Sequence, residues 1–257
     1  MGKVDPNKSA TALRALRVLE ILGAVRRPVG VMEVASGIGA DRSTAYRMLM
    51  TLHDAGYVVR DESGKNYQLG YKLLSLSSAL LDADARSEII LEAIRGLSAA
   101  TGETVHYCVL DRDATVLVYR AKGTQLVSVD FKIGDRAPLH CTSIGKALLA
   151  YQDAPLIEAV IAGGLPKVAP KTITDPDAFR AELARVRRQG YAYDDLEFHD
   201  DMRCVAVPLF EAGGAVRAGI SLSGPASRYS LGKLEALKDL SVATARSLAE
   251  RLGSPGR

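Results

Sequence analysis

Cysteine is scarce in this chain. Its three copies, Cys108, Cys141 and Cys204, are odd in number and far apart, with no C-x-x-C pair among them. That excludes a disulfide framework and a tetrahedral zinc site as organising features, and the three read as thiols of a reducing compartment. Long apolar runs are missing too. No segment approaches the ~18 uninterrupted apolar residues of a membrane span, and residues 1–8 carry no apolar core of the kind a secretory signal has. A cytoplasmic protein without a membrane partner is the expectation. Low-complexity and collagen-like bias are also absent, with 47% hydrophobic and 25% charged residues, so disorder is expected only at the ends.

Catalytic signatures are equally thin. Ser143-Ile144-Gly145-Lys146 fits the S-x-x-K pattern of penicillin-binding proteins, but the companion S-D-N and K-T-G motifs are missing, since Lys171-Thr172 runs on into Ile173. No G-x-S-x-G elbow occurs. The same loop is not a phosphate-binding P-loop either: His140 stands where the leading glycine belongs, and Lys146 is followed by Ala147. His140 has no second ligand at metal spacing and reads as a buried, satisfied histidine. An enzyme is therefore not expected, nor is a metal or another cofactor.

What is present starts with length. The 257 residues exceed one core of ~100–150 residues and suit two unequal domains. Charge divides unevenly between them. Residues 1–70 hold 10 Lys and Arg against 7 Asp and Glu, whereas residues 71–257 hold 23 of each, so the whole net charge of +3 lies in the first part. A basic N-terminal module is the electrostatic footprint of a partner rich in phosphate.

From Ser9 the run SATALRALRVLEILGAV places Ala12, Ala15, Leu16, Leu19 and Leu22 on one arc of a helix, with Arg14 and Arg17 off it. Pro28 and Gly30 break the chain. Val31 to Ala35 then forms a short second helix that ends near Gly37-Ile38-Gly39. A third helix begins at Asp41 or Arg42, buries Ala45, Met48, Leu49 and Leu52, and leaves Ser43, Thr44, Tyr46, Arg47 and Met50 outward. Hydroxyls and a guanidinium on one outward face suit phosphate and guanine contacts in a major groove. Two β-rich runs follow, 56–60 and 66–69, split by the turn Asp61-Glu62-Ser63-Gly64-Lys65. Helix, turn, helix and hairpin spell a winged helix, with Arg42, Ser43, Thr44, Tyr46 and Arg47 as its reading face. Arg60 and Lys65 would meet the phosphate backbone from the wing.

Beyond it, residues 70–81 read as a connecting helix and 86–100 as another. Strands are expected at 104–110, 115–120, 126–131, 203–210 and 215–223. A last helix from Ser230 carries Leu234, Leu237, Ala245, Leu248 and Leu252 on one face. Clustered strands with helices between and after them give an α+β domain around an antiparallel sheet. Two motifs stand out. PLHCTSIGKA at 138–147 is a small-residue loop that opens a helix, where free N–H groups favour an anion. GYAYDDLE at 190–197, followed by RCVAVPLF at 203–210, sets carboxylates ahead of a buried strand.

The stretches ALRVLEIL, DRSTAYRMLMTLHDAGYVVRD and YQLGYKLLSLSSALL, with the two motifs just given, closely resemble the IclR-type transcription regulators over nearly the whole chain. Two departures are Asp201, where that family usually has glycine, and Glu211, where Asp or Asn is usual. The resemblance implies a winged helix-turn-helix at 9–70, a linker helix at 71–84 and a GAF-like effector-binding and oligomerisation domain at 85–254. It implies a pseudo-palindromic double-stranded DNA operator, a homodimer or homotetramer, and repression as the usual sign. Carried over residue by residue, it implies that backbone N–H groups of Ser143 and Ile144 hold the carboxylate of a small organic acid. Asp194, Cys204, Ser221 and Ser223 then supply polar contacts, and Leu126, Val129 and Ala137 an apolar wall. With Asp194 read as ionised, the helix start and this carboxylate form two unlike ends, one for an anion and one for a hydrogen-bond donor. A hydroxylated aromatic acid such as hydroxybenzoate suits them best, and a small keto or hydroxy acid second.

Overall fold

The Ser9 hydroxyl accepts the Ala12 N–H at 3.2 Å and so starts the first helix, α1 (Ala10–Ala24). The computed structural model describes residues 9–25, 27–81, 86–127 and 131–253. The chain divides into two units, Met1–Ala83 and Asp84–Arg257. In the first, α1 leads through β1 (Val29–Gly30) into α2 (Val31–Ile38) and α3 (Arg42–Asp54). Gly39 ends α2 in the left-handed region (φ 60°), where an L side chain is strained. Asp41 then caps α3: one carboxylate oxygen accepts the Thr44 N–H at 2.9 Å and the other the Thr44 hydroxyl at 2.7 Å. A hairpin of β2 (Val58–Arg60) and β3 (Asn66–Leu69) follows, then α4 (Lys72–Leu81).

The sheet order is β1-β3-β2, all antiparallel, with Val29 opposite Tyr67 and Val58 opposite Leu69. Strand β1 was not expected. Val18, Leu22, Val34, Ala45, Leu49, Val58 and Tyr67 fill the core under it. Each fully buried aliphatic side chain contributes about 1.5–3 kcal/mol. The inner arc of α1 is turned from the expected one: Leu22 is buried as expected, but so is Val18, while Ala12 and Leu16 are exposed.

In the second unit, α5 (Arg86–Thr101) precedes β4 (Val105–Asp111), β5 (Ala114–Ala121) and β6 (Arg136–Pro138). Helices α6 (Ser143–Leu149), α7 (Ala154–Ala162) and α8 (Pro176–Gln189) come next, then β7 (Ala192–Asp195), β8 (Met202–Phe210), β9 (Val216–Pro225) and α9 (Leu231–Arg251). The strands form one antiparallel sheet in the order β6-β5-β4-β9-β8-β7. The unit is thus α+β, as expected. Of the strand expected at 126–131, Leu126 and Val127 are bends and Phe131 is in no strand, while residues 128–130 lie outside the described ones.

Alternation along the central strands sorts the two faces. Val105, Tyr107, Val205, Val207, Leu209, Ile220 and Leu222 point to one side, where α5 and α9 cover them with Ile94, Leu234, Leu237 and Leu248. The other side carries smaller and more polar groups, His106, Cys108, Cys204, Ser221 and Ser223, and is covered in part by α6 and α8. Helix α6 comes close because residue 145 is glycine. A Cβ there would lie 2.6 Å from the Leu139 Cα and from the Pro138 carbonyl oxygen. No helix among the described residues is long and apolar enough to cross a membrane.

Candidate functional site

The polar face of the sheet and the start of α6 enclose a cavity of about 220 Å³. Of the residues expected to form a ligand site, Ala137, Ser143, Ile144, Asp194, Cys204, Ser221 and Ser223 all line it. Leu126 does not. It is fully exposed on a bend. Val129 lies outside the described residues. His106, Cys108, Thr115, Leu117, Phe131, Thr142, Phe198 and Met202 join the lining unexpectedly. The period-two pattern of 104–110 was the signal for His106, which falls on the face opposite Val105 and Tyr107.

Helix α6 is capped by Thr142, whose Oγ1 accepts the Gly145 N–H at 3.0 Å and donates to the Pro138 carbonyl at 2.7 Å. The first intrahelical bond runs from the Lys146 N–H to the Thr142 carbonyl at 3.0 Å. The N–H groups of Ser143 and Ile144 therefore precede the helical ladder and carry its positive dipole end. Asp194, with no exposed surface, accepts the Glu197 N–H at 2.8 Å and the Phe198 N–H at 3.3 Å on Oδ1. Its Oδ2 is buried without a hydrogen-bond partner among the described residues, and so is His106 Nε2.

Burial governs the charges here. It pushes the Asp194 carboxyl up to about 7, against the downward pull of the Glu197 N–H bond and with further upward push from the Glu197 carboxylate. It pushes His106 down to about 4, with the Arg120 guanidinium adding to the effect, so this imidazole is neutral at physiological pH. The Cys204 thiol is driven well above its usual range by burial and is not a thiolate.

The expected polarity of the site needs correcting in two respects. Asp194 titrates near neutrality and is not a fixed anion. Nor does it face the helix start from the far end. The Cys204 side chain lies against both Ser143 and Asp194, so the two share one end of the cavity. Just behind that end, Lys146 is wholly buried between Glu197, its close partner, and Glu182 at 3.4 Å. The lysine of the S-x-x-K pattern is thus held in ion pairs. His140 behaves as read: its Nε2 lies 3.0 Å from the Pro166 carbonyl oxygen.

In the first unit a groove is lined by Val31, Met32, Arg42, Ser43, Tyr46, Gly64, Lys65 and Tyr67. It brings four of the expected nucleic-acid contacts together: Arg42, Ser43 and Tyr46 on α3, and Lys65 on the hairpin turn. Exposed Met32, at the start of α2, was not foreseen. The remaining three stand apart from the groove. The Thr44 hydroxyl is engaged by Asp41, and the Arg47 guanidinium reaches back to Thr44 Oγ1 at 3.5 Å. Arg60 lies against Met50 Sδ at 2.8 Å and over the Tyr67 ring at 5.6 Å.

Comparison with known proteins adds three kinds of likeness. The IclR helix-turn-helix domain matches residues 11–62, and the bacterial transcriptional regulator IclR C-terminal domain matches residues 81–250. The HTH-type transcriptional regulator KdgR of Escherichia coli K12 is 32% identical over 251 residues, covering 97% of this chain and 95% of its own. Among solved structures, Thermotoga maritima IclR superposes with a TM-score of 0.78 at 30% identity, over 95% of this chain and 98% of that one. An IclR homologue of Microbacterium hydrocarbonoxydans, solved as a complex with 4-hydroxybenzoate, gives 0.83 at 25% identity over 95% and 99%.

Proposed function

Because this chain belongs to the IclR family of transcription regulators, we propose that it is a repressor whose operator affinity is set by a small organic acid in the Ser143–Asp194 cavity. The observation that carries the ligand half is a pair of buried polar atoms with no hydrogen-bond partner among the described residues, Asp194 Oδ2 and His106 Nε2, on the wall of a cavity that a helix N-terminus also enters. A buried polar atom without a partner costs about 1–3 kcal/mol, and a ligand that supplies the partner recovers it. A carboxylate suits the Ser143 and Ile144 N–H groups. Apolar Leu117, Phe131 and Ala137 suit a flat hydrocarbon body. A hydroxylated aromatic acid meets both demands, and the relative solved with 4-hydroxybenzoate supports that class.

On the DNA side, α3 enters the major groove with the hairpin turn beside it. One such helix covers few base pairs, so a homodimer, or a homotetramer built from dimers, reads a pseudo-palindrome with half-sites about one helical turn apart. Repression needs only that the bound protein occupy a promoter, whereas activation demands an added surface for polymerase. Arg47→Ala is expected to weaken operator binding by about 1–3 kcal/mol, once the guanidinium leaves Thr44 for a base edge. Gel-shift titration with footprinting checks this. An unchanged affinity and footprint would place Arg47 on a merely solvated face.

The coupling itself is tested by titrating 4-hydroxybenzoate into the protein calorimetrically, with and without operator DNA. Linkage requires the two affinities to differ by the same factor that the acid imposes on DNA binding, typically about 5- to 150-fold. Equal affinities would remove the cavity from control of DNA binding.

A further inference from the structure

One polar wall of the cavity is left unexplained by a carboxylate alone. Strands β4, β9, β8 and β7 are consecutive neighbours in the sheet. His106 on β4 pairs with Ser221, whereas Asp194 on β7 pairs with Cys204, which pairs with Ser223. Three strand spacings therefore separate the backbones of His106 and Asp194, on the order of 14 Å, and both side chains face the same cavity. Ser143 packs at the Asp194 end, beside Cys204. A carboxylate held by the α6 start thus leaves His106 at the remote end. There its ring meets Phe131 edge-on, with centroids 5.6 Å apart.

We propose that His106 is the residue that selects the effector, by receiving a hydroxyl carried at the end of the ligand remote from its carboxylate. This rests on the reading of the cavity as an acid site and names the part of the ligand which that reading leaves open. His106 is 2% exposed and its Nε2 has no partner among the described residues, so a ligand group that reaches it gains a buried hydrogen bond. Neutral imidazole presents Nε2 as a donor in one tautomer and an acceptor in the other. A hydroxyl satisfies either, and a carbonyl only the first. A second carboxylate could only accept from the Nε2–H tautomer, and beside an uncharged ring it would be desolvated without a counter-charge. The ligand class is accordingly a monocarboxylic acid with a distal hydroxyl on a rigid body, of which 4-hydroxybenzoate is the simplest aromatic form. Two- and three-carbon acids reach one end only.

The test compares 4-hydroxybenzoate with benzoate, which lacks only the hydroxyl, by calorimetry on the full-length protein and its His106→Phe and His106→Gln variants. The wild type is expected to prefer 4-hydroxybenzoate by about tenfold or more, the effect of one buried polar group left unpaired. In His106→Phe the preference should fall to near one, and His106→Gln, which keeps a polar end, should restore part of it. Because each preference is a ratio within one protein, a general loss of stability does not mimic it. Two results overturn the assignment alone: a wild type that binds both acids equally, and a preference that survives in His106→Phe. If the wild type binds neither acid, the reading of the cavity as an acid site fails, and the role of His106 fails with it.

Discussion

Lys146→Met is expected to destabilise the protein by about 3–5 kcal/mol, the usual result of removing one partner from a buried ion pair. Lys146 has no exposed surface, and its ammonium stands between Glu197 and Glu182, themselves only 11% and 12% exposed. Glu182 keeps a second partner in Arg185 at 2.7 Å. For Glu197 no second ion pair is found among the described residues, and its Oε2 has no hydrogen-bond partner there. Burial raises the Glu197 carboxyl above its usual range even with Lys146 pulling it down. Without the lysine it rises further, and ionised Glu197 becomes the main cost. A carboxyl raised on folding binds more protons in the folded than in the unfolded state. Stability is then gained as pH falls toward the unfolded value and lost as pH rises through the folded one.

The Lys146→Met deficit, measured by urea denaturation, should therefore narrow from pH 7.5 to pH 5.5. Lys146→Met/Glu197→Gln should recover most of it, since the orphaned charge is gone. A loss under about 1 kcal/mol, or a double variant as unstable as the sum of the two singles, would mean that the buried pair is not what holds this corner. The Glu197 N–H also anchors Asp194 Oδ1, so the same change should loosen the ligand end of the cavity.

The parts of this architecture that sequence made legible are those with local causes. Ser9, Asp41 and Ser230 each accept an N–H three residues on, and each starts a helix where expected. The winged-helix order follows from such caps, from Gly39 and from the turn at 61–65. What escaped is short or non-local. Strands β1, β6 and β7 have two to four residues, too few to show a period, and α7 buries no residue at all. Helix α8, absent from the expected elements, does carry local signals: Asp175 caps it, Pro176 opens it, Phe179, Leu183 and Val186 form its stripe, and Gly190 ends it. Leu126, placed in the wall by the family resemblance, lies on an exposed bend in this chain. The proton on Asp194 was out of reach for a different reason, since burial belongs to the tertiary structure and not to neighbours in sequence.

That proton yields the second large effect: the affinity of the wild type for benzoate should be flat below about pH 6 and fall by about tenfold per pH unit above 7, reaching about a hundredfold by pH 9. Asp194 is raised to about 7 by burial, and a carboxylate ligand at the Ser143 and Ile144 N–H groups would lie beside it. The protonated acid can donate to that ligand, whereas the ionised form repels it, so binding takes up one proton above pH 7. The groups around Asp194 do not blur the reading. His106 is neutral throughout this range, and the Cys204 thiol stays protonated. Glu197, raised by burial, keeps Lys146 as its counter-charge. Benzoate is the better probe because it has no phenol to titrate near pH 9. Asp194→Asn keeps an oxygen for the Glu197 and Phe198 N–H groups and offers an amide donor in place of the acid proton. It should bind benzoate with the same affinity from pH 6 to 9 and outperform the wild type at the alkaline end. A wild type as flat as the variant, or one that binds more tightly as pH rises, would mean that Asp194 works as an anion and that the ligand meets it with a donor, the reverse of the polarity argued here.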